Sequence, residues 1–344
     1  MNNDSNKLPI IAYYTGDSDE INKYPVEKLT HIIYSFLHLK GNRLTVDNEN
    51  DSITLVHLSS LKNEYPGLKV LISLGGWGGC KSCSDVFSGG SGRKEFAISV
   101  KEILTNYNLD GIDLDWEYPA IAGFPGHRHA PEDKENFTFL MQELRTSLGE
   151  DYEISFAAGG FSYFINESIE WNKVIPLIDR VNIMTYDFVH GYSTKTGHHT
   201  PLYSNEKQIE STDHAVKLLS EKGVPLNMMV IGAAFYGRIW ENVPDVNHGI
   251  YQDGRFKQGV NYKKLDEYVK NNSGFEFYWD STSQAPYMYN PEKQFFLTYD
   301  DSLSVSKKTR YVIENKLGGI MFWELKGDYY EGGLLDAIHS VVNK

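Results

Sequence analysis

The chain has 344 residues, of which 41% are hydrophobic and 13% aromatic, so it is long and apolar enough to bury a large core and is not a disordered protein. A formal net charge of −13 makes nucleic acid and anionic membrane surfaces poor partners, while an uncharged polysaccharide is compatible with it. No run of 18 apolar residues occurs, so no membrane-spanning helix and no membrane partner are expected.

In chain order, residues 1–7 (Met1-Asn2-Asn3-Asp4-Ser5-Asn6-Lys7) lack the apolar stretch of a signal peptide, which leaves a cytoplasmic protein or a mature segment open. Strand-like runs follow at 9–14, 31–37 and 68–74. The third leads at once into Gly75-Gly76-Trp77-Gly78-Gly79, where glycines allow close approach to a neighbouring strand or a ligand. It is not a phosphate loop, because no Gly-Lys-Ser/Thr follows. Cys80 and Cys83 are the only cysteines. Zinc would need two more ligands nearby, and a redox motif belongs at a helix start, whereas the surroundings here read as a loop. A local disulfide or two free thiols are the remaining readings.

A helix over 93–107 leads into Leu109-Asp110-Gly111-Ile112-Asp113-Leu114-Asp115-Trp116-Glu117-Tyr118-Pro119. With period two, Ile112, Leu114 and Trp116 share one face and Asp113, Asp115 and Glu117 the other. Like charges on one face raise one another's pKa, and no Lys or Arg stands among them. Burying three acids inside a closed sheet is expensive unless they share protons and hydrogen bonds, an expense typical of catalytic sites.

The β-α rhythm continues with a helix over 131–148, strands at 152–158 and 180–186, a helix over 208–222 and a strand at 228–235. From 239 to 298 it breaks into short Tyr- and Gly-rich pieces, read as an α+β insertion with a helix over 262–271 and several antiparallel strands. A helix over 303–315, a strand at 319–324 and a helix over 334–342 close the chain. Eight strands are the number that closes a (β/α)8 TIM barrel, whereas a doubly wound open sheet gives no reason for eight repeats. The expected division is an α/β barrel over 8–238 and 299–344, with the insertion at 239–298 between strand seven and helix seven.

Asp110-x-x-Asp113-x-Asp115-x-Glu117 resembles the DxxDxDxE signature of family 18 glycoside hydrolases, the chitinase family. Ser73-x-Gly75-Gly76, Met184-x-Tyr186-Asp187, Tyr236-Gly237-Arg238 and Trp323 resemble further family motifs, all at carboxyl ends of strands, and the insertion matches that of one chitinase subfamily. The resemblance implies a secreted, cell-surface or periplasmic endochitinase, a monomer acting on chitin or chitooligosaccharides without metal or organic cofactor. Its mechanism would be retaining and substrate-assisted, the 2-acetamido oxygen forming an oxazolinium ion. Glu117 would be the acid, its pKa held up by Asp115 about 7 Å back along the strand. Asp115 would orient the acetamido group while shuttling between Asp113 and Glu117, and Tyr186 would bond the acetamido carbonyl. Met184 and Asp187 would shape the pocket over a Trp323 floor, with Trp77, Phe36, Tyr14, Tyr118, Tyr236 and Arg238 in the groove.

Tyr251, Tyr278, Trp279, Tyr287 and Tyr289 of the insertion either stack on sugars or pack its own core. His127, His129, His198 and His199 fall in loops and are expected to be solvated. Alternatives within the resemblance are a chitin-binding lectin, which would typically lack the Glu117 that stands here, and an enzyme cutting N-glycans or a peptidoglycan link.

Overall fold

A computed structural model describes residues 8–343; the N-terminal reading of residues 1–7 lies outside the described residues. The strands are β1 (Ile10–Tyr14), β2 (His31–Lys40), β3 (Arg43–Thr45), β4 (Lys69–Gly75), β5 (Gly111–Asp115), β6 (Glu153–Gly159), β7 (Arg180–Met184), β8 (Met229–Ala234), β9 (Tyr236–Glu241), β10 (Arg255–Asn261), β11 (Glu276–Asp280), β12 (Ala285–Asn290), β13 (Phe295–Thr298) and β14 (Gly319–Trp323). Parallel pairing runs β1-β14-β8-β7-β6-β5-β4-β2, and β2 pairs back with β1, so the eight strands close into a (β/α)8 barrel. β3 adds an antiparallel hairpin to the far end of β2.

Strands buried on both faces need apolar residues in both phases. Ile11, Tyr13, Ile33, Leu71, Val230 and Met321 fill the barrel interior, and Ile10, Ala12, Tyr14, Ile32 and Ile112 join the layer between barrel and helices. At the amino ends of the strands, buried Glu153 takes Arg180, Lys69 and His31 at 2.5, 2.9 and 3.4 Å. Burial alone would raise its pKa, but these partners hold the carboxyl well below the usual range and the plug stays ionised.

The helices are α1 (Glu49–Leu61), α2 (Cys83–Ser88), α3 (Gly90–Tyr107), α4 (Asp133–Leu148), α5 (Ser162–Glu167), α6 (Trp171–Val174), α7 (Thr212–Glu221), α8 (Leu265–Asn271), α9 (Ser302–Glu314) and α10 (Leu334–Val342). α7 starts four residues later than its apolar pattern suggests. Ser211 is its N-cap, accepting from the His214 amide, and the residues before it form a turn closed between Asn205 and Gln208.

A five-stranded antiparallel sheet, β10-β9-β13-β12-β11, starts directly after β8. One face packs Trp240, Val243, Tyr287, Tyr289 and Phe296; the other packs Ile239, Leu265, Leu297 and Tyr299 under α8. Tyr287 and Tyr289 are therefore core residues of this sheet. The loop after β7 is fastened to it: Trp240 Nε1 donates to Ser193 O, Thr196 N to Gln252 O and Gly254 N to Thr194 O. That cover corrects the expectation for two histidines. His198 and His199 are fully buried, the former bonded to Asp280 at 3.0 Å, because the sheet lies over their loop and excludes water from it.

Candidate active site

The acidic strand β5 sorts as its period of two dictates. Ile112, Leu114 and Trp116 lie in the outer core, and Asp113 and Asp115 point into the barrel, both buried. Asp110, at the opposite end, is tied to Lys62 at 3.0 Å and to the Val70 amide at 2.7 Å, away from the cleft. Asp113 is fully enclosed and accepts four hydrogen bonds: Tyr13 Oη and Ser73 Oγ at 3.0 Å on Oδ2, Ser155 Oγ at 2.6 Å and Asn182 Nδ2 at 3.0 Å on Oδ1. Burial raises its pKa, and these four donors work against that rise.

Asp115 differs: its Oδ1 is buried with no hydrogen-bond partner among the described residues. Burial first, then the charges of Glu117 and Asp113, hold its carboxyl well above the ordinary range. Glu117 ends the acidic face, partly buried at the barrel mouth, with a pKa pushed up from 4.5 to about 7. The leading cause is burial; the Asp187 charge adds to it and the neighbouring Tyr118 phenol opposes it. The expectation that Asp115 raises Glu117 is thus modified, since the repulsion between the two falls on Asp115 and burial does most of the work at Glu117.

Glycine is required where β4 meets β5. The Gly76 amide donates to Asp115 O at 2.9 Å. A Cβ on Gly75 (φ +110°) would lie 2.3 Å from that same carbonyl, and one on Gly76 (φ +76°) 2.4 Å from the Phe36 ring.

The end of β7 and the start of the second sheet supply the next group. Asp187 (φ +59°) accepts both Arg238 Nε and Nη2 at 2.5 Å and Tyr236 Oη at 2.7 Å, with His199 Nδ1 3.6 Å away. Burial would raise the Asp187 pKa, but the His199 and Arg238 contacts outweigh it and keep the carboxylate ionised. Met184 and Tyr186 face the interior with Tyr236, Tyr118 and Trp323 packed against them. Burial and nearby charges raise the Tyr186 phenol well above 10, so it stays a donor.

Aromatic residues line the mouth. Phe36 stacks on Trp323 at 5.4 Å, and Tyr13 meets the same indole at 5.9 Å. Trp77, 41% exposed, meets Phe124 at 5.7 Å and Tyr192 at 6.3 Å, the last from the loop after β7. Tyr118 packs edge-on against Phe161 and Phe164, with its hydroxyl end toward Glu117. Tyr14 is not with them. It is fully buried in the outer core with its hydroxyl on Asp17 O, because strand alternation turns Tyr13 inward and Tyr14 outward. Tyr13, Ser155, Asn182, His199, Phe124 and Tyr192 had no sequence signal of their own. Ser155 and Asn182 could have been found by carrying the inward phase of each strand across the barrel.

The family model described as glycosyl hydrolases family 18 matches residues 9–328. The chain belongs to that family. Among its relatives, Chitinase A1 of Niallia circulans is 35% identical over 295 residues, covering 79% of this chain. The chain spans only 42% of the length of that relative, and 85% of Chitinase B of Serratia marcescens, which is 26% identical. Of the solved family 18 structures, an N-acetylglucosaminidase from Paenibacillus barengoltzii superposes with a TM-score of 0.88 at 36% identity, covering 97% of this chain and 99% of that one. The cell-surface-expressed multi-modular chitinase ChiW from a Paenibacillus species gives 0.91 at 34% identity, over 98% of this chain and 33% of that one.

Proposed function

We propose that this enzyme is a chitinase, hydrolysing β-1,4 links between N-acetylglucosamine units with retention of configuration and with the substrate's own acetamido group as nucleophile. The observation that carries this reading is the succession of Asp113 and Asp115 on the inner face of β5 and Glu117 two residues past its end, with Asp187 held in a bidentate pair by Arg238. A carboxylate nucleophile would have to stand across the sugar ring from the acid, about 5 Å away, and acids that follow one another along one segment do not straddle a ring.

Glu117, half protonated near neutral pH, gives its proton to the glycosidic oxygen as that bond breaks. The acetamido oxygen forms the new bond to the anomeric carbon, leaving a cyclic oxazolinium ion. Asp115 presents its unpartnered Oδ1 to the acetamido N–H and balances the cation. Its raised pKa lets it share a proton with Asp113, whose four donors receive the charge when the proton moves. The Tyr186 phenol donates to the acetamido oxygen. Water then opens the ion, Glu117 taking its proton. Trp323 with Phe36 forms the floor under the reacting sugar, and Trp77, Tyr236 and Arg238 border the groove.

The test is digestion of N-acetylglucosamine oligomers against a free N-glycan, with products identified by mass and the first anomer by NMR. Cleavage of the oligomers giving the β-anomer first supports the reading; cleavage of the glycan alone, or α-product first, overturns it. A second reading is favoured by the likeness to the Paenibacillus barengoltzii N-acetylglucosaminidase over nearly both whole chains: release of single sugars. A hexamer whose earliest product is the monomer alone would support it over internal cleavage. Export to an oxidising compartment is inferred with the function, since the two cysteines form a disulfide.

The second sheet is proposed to form one wall of the groove, because its first strand delivers Tyr236 and Arg238 to Asp187.

A further inference from the structure

The structure joins Cys80 to Cys83, a bridge that the hydrolytic chemistry does not use. It encloses only four residues, and a cross-link constrains the unfolded chain least when its loop is shortest. Its sulfurs are not at the surface either: Cys80 is 3% exposed and Cys83 is fully buried. Its effect must therefore be sought in what it holds in place.

On one side the bridge meets the acidic strand. Cys80 Sγ lies 3.0 Å from where a Cβ on Gly75 would stand, and Gly75 rests on the Asp115 carbonyl. The turn between them is tight: the Gly79 amide donates to Gly76 O at 2.9 Å, and a Cβ on Gly79 would strike Gly75 O. Trp77 is at the tip of this turn. On the other side Cys83 opens α2, whose next two residues reach the loop after β5. Ser84 Oγ donates to Asp133 Oδ1 at 2.9 Å, Asp133 Oδ2 accepts the Ala130 amide at 2.8 Å, and Asp85 pairs with Arg128. That loop carries Phe124, which returns to Trp77 and lies 3.6 Å from a Cβ built on Gly78. The contacts form a closed circuit from Trp77 through the disulfide, α2 and Asp133 to Phe124. An indole 41% exposed is not fixed by burial, so its orientation depends on this circuit.

We propose that the Cys80–Cys83 disulfide is a positioning element for the cleft wall made by Trp77 and Phe124, and that it sets how firmly sugars beyond the reacting pair are held. The inference rests on the saccharide-hydrolase reading above. The test compares wild type with C80A/C83A, which leaves no hydroxyl in the buried site. Two readouts are taken: kinetics on an N-acetylglucosamine hexamer and on a chromogenic disaccharide, and hydrogen exchange by mass spectrometry. The expected result is a hexamer KM raised about five- to tenfold with kcat within twofold, and less than twofold change on the disaccharide. Amide exchange should speed up in 76–79 and also in 119–130, which contains neither cysteine. Unchanged exchange in 119–130 together with a hexamer KM within twofold of wild type would overturn the proposal. If C80A/C83A does not fold, the single variant C83A, which opens the same bridge while removing only one sulfur, takes its place, with the same outcomes deciding. Were wild type to cleave no N-acetylglucosamine oligomer, the functional reading would fail, and the exchange in 119–130 would still decide whether the disulfide holds the wall.

Discussion

Glu117→Gln separates two consequences of one buried carboxyl. Glutamine keeps the shape of the side chain and removes its proton, so activity should fall by roughly 10²- to 10⁴-fold. Stability should move the other way, and by an amount that depends on pH. The Glu117 pKa rises from 4.5 to about 7 on folding, chiefly through burial. Below pH 4.5 the group is neutral in both states and costs nothing. Between 4.5 and 7 the unfolded chain releases the proton while the folded one retains it, so stability is lost as pH rises, reaching about 3 kcal/mol above pH 7. The substituted glutamine is neutral throughout and escapes that loss, and Asp115 is relieved of a like charge as well. The variant's advantage in Tm over wild type should therefore grow between pH 4.5 and pH 8, by on the order of 5 °C for a chain of this size. Scanning fluorimetry of both proteins at the two pH values, beside kcat/KM on a chromogenic disaccharide, measures both effects. The same pKa sets the alkaline limb of the wild-type profile near pH 7; at pH 6 about 90% of the acid is protonated, against about 3% for an ordinary glutamate. A Tm difference equal at both pH values, or more than a tenth of wild-type turnover in the variant, would refute the reasoning.

Asp187→Asn should lower that alkaline limb by up to about one pH unit, because the Asp187 charge contributes to the raised Glu117 pKa; a limb that stays put or rises contradicts it. The same variant leaves the Arg238 guanidinium without its carboxylate and should lose about 2–4 kcal/mol of stability at neutral pH, read by urea titration. Tyr13→Phe removes one of the four donors on Asp113 without leaving a cavity, and should lower kcat about tenfold at constant KM; a raised KM with unchanged kcat would place Tyr13 in binding instead. A thiazoline mimic of the oxazolinium ion should bind at least 10²-fold more tightly than the disaccharide product, measured by inhibition, whereas equal affinity would argue against the acetamido group as nucleophile.

What the sequence revealed follows the strength of its periodic signals. The β5 acids, the apolar strands and their count were legible because a barrel strand is short, apolar and bounded, and because three acids in phase are rare. α1 was not, for a physical reason: Leu55, Leu58 and Leu61 are buried, but Ile53 and Val56 are 52% and 59% exposed, so no single apolar stripe marks the helix. The Tyr13–Tyr14 pair shows a second limit. Both faces of a barrel strand are buried, and two adjacent tyrosines give alternation nothing to distinguish, so only closure of the sheet decides which one meets Asp113. His198 and His199 show a third, since a loop residue is solvated only while nothing covers the loop, and here a sheet up to about a hundred residues away in sequence does so.

The last two of these limits share a cause that also bears on the chemistry. Each arises where one segment is buried by another distant in the chain, and the pKa values of the β5 acids arise in the same way. The acids of β5 are adjacent in sequence, yet what sets their protonation is remote: Ser155 and Asn182 on β6 and β7 hold Asp113, and the Asp187 charge from the end of β7 reaches Glu117. His199 from the loop after β7 and Arg238 from the second sheet keep that charge on Asp187. A motif read along one strand can thus name the candidate acid, but the pH at which that acid titrates is a property of the closed barrel and of the sheet laid against its rim.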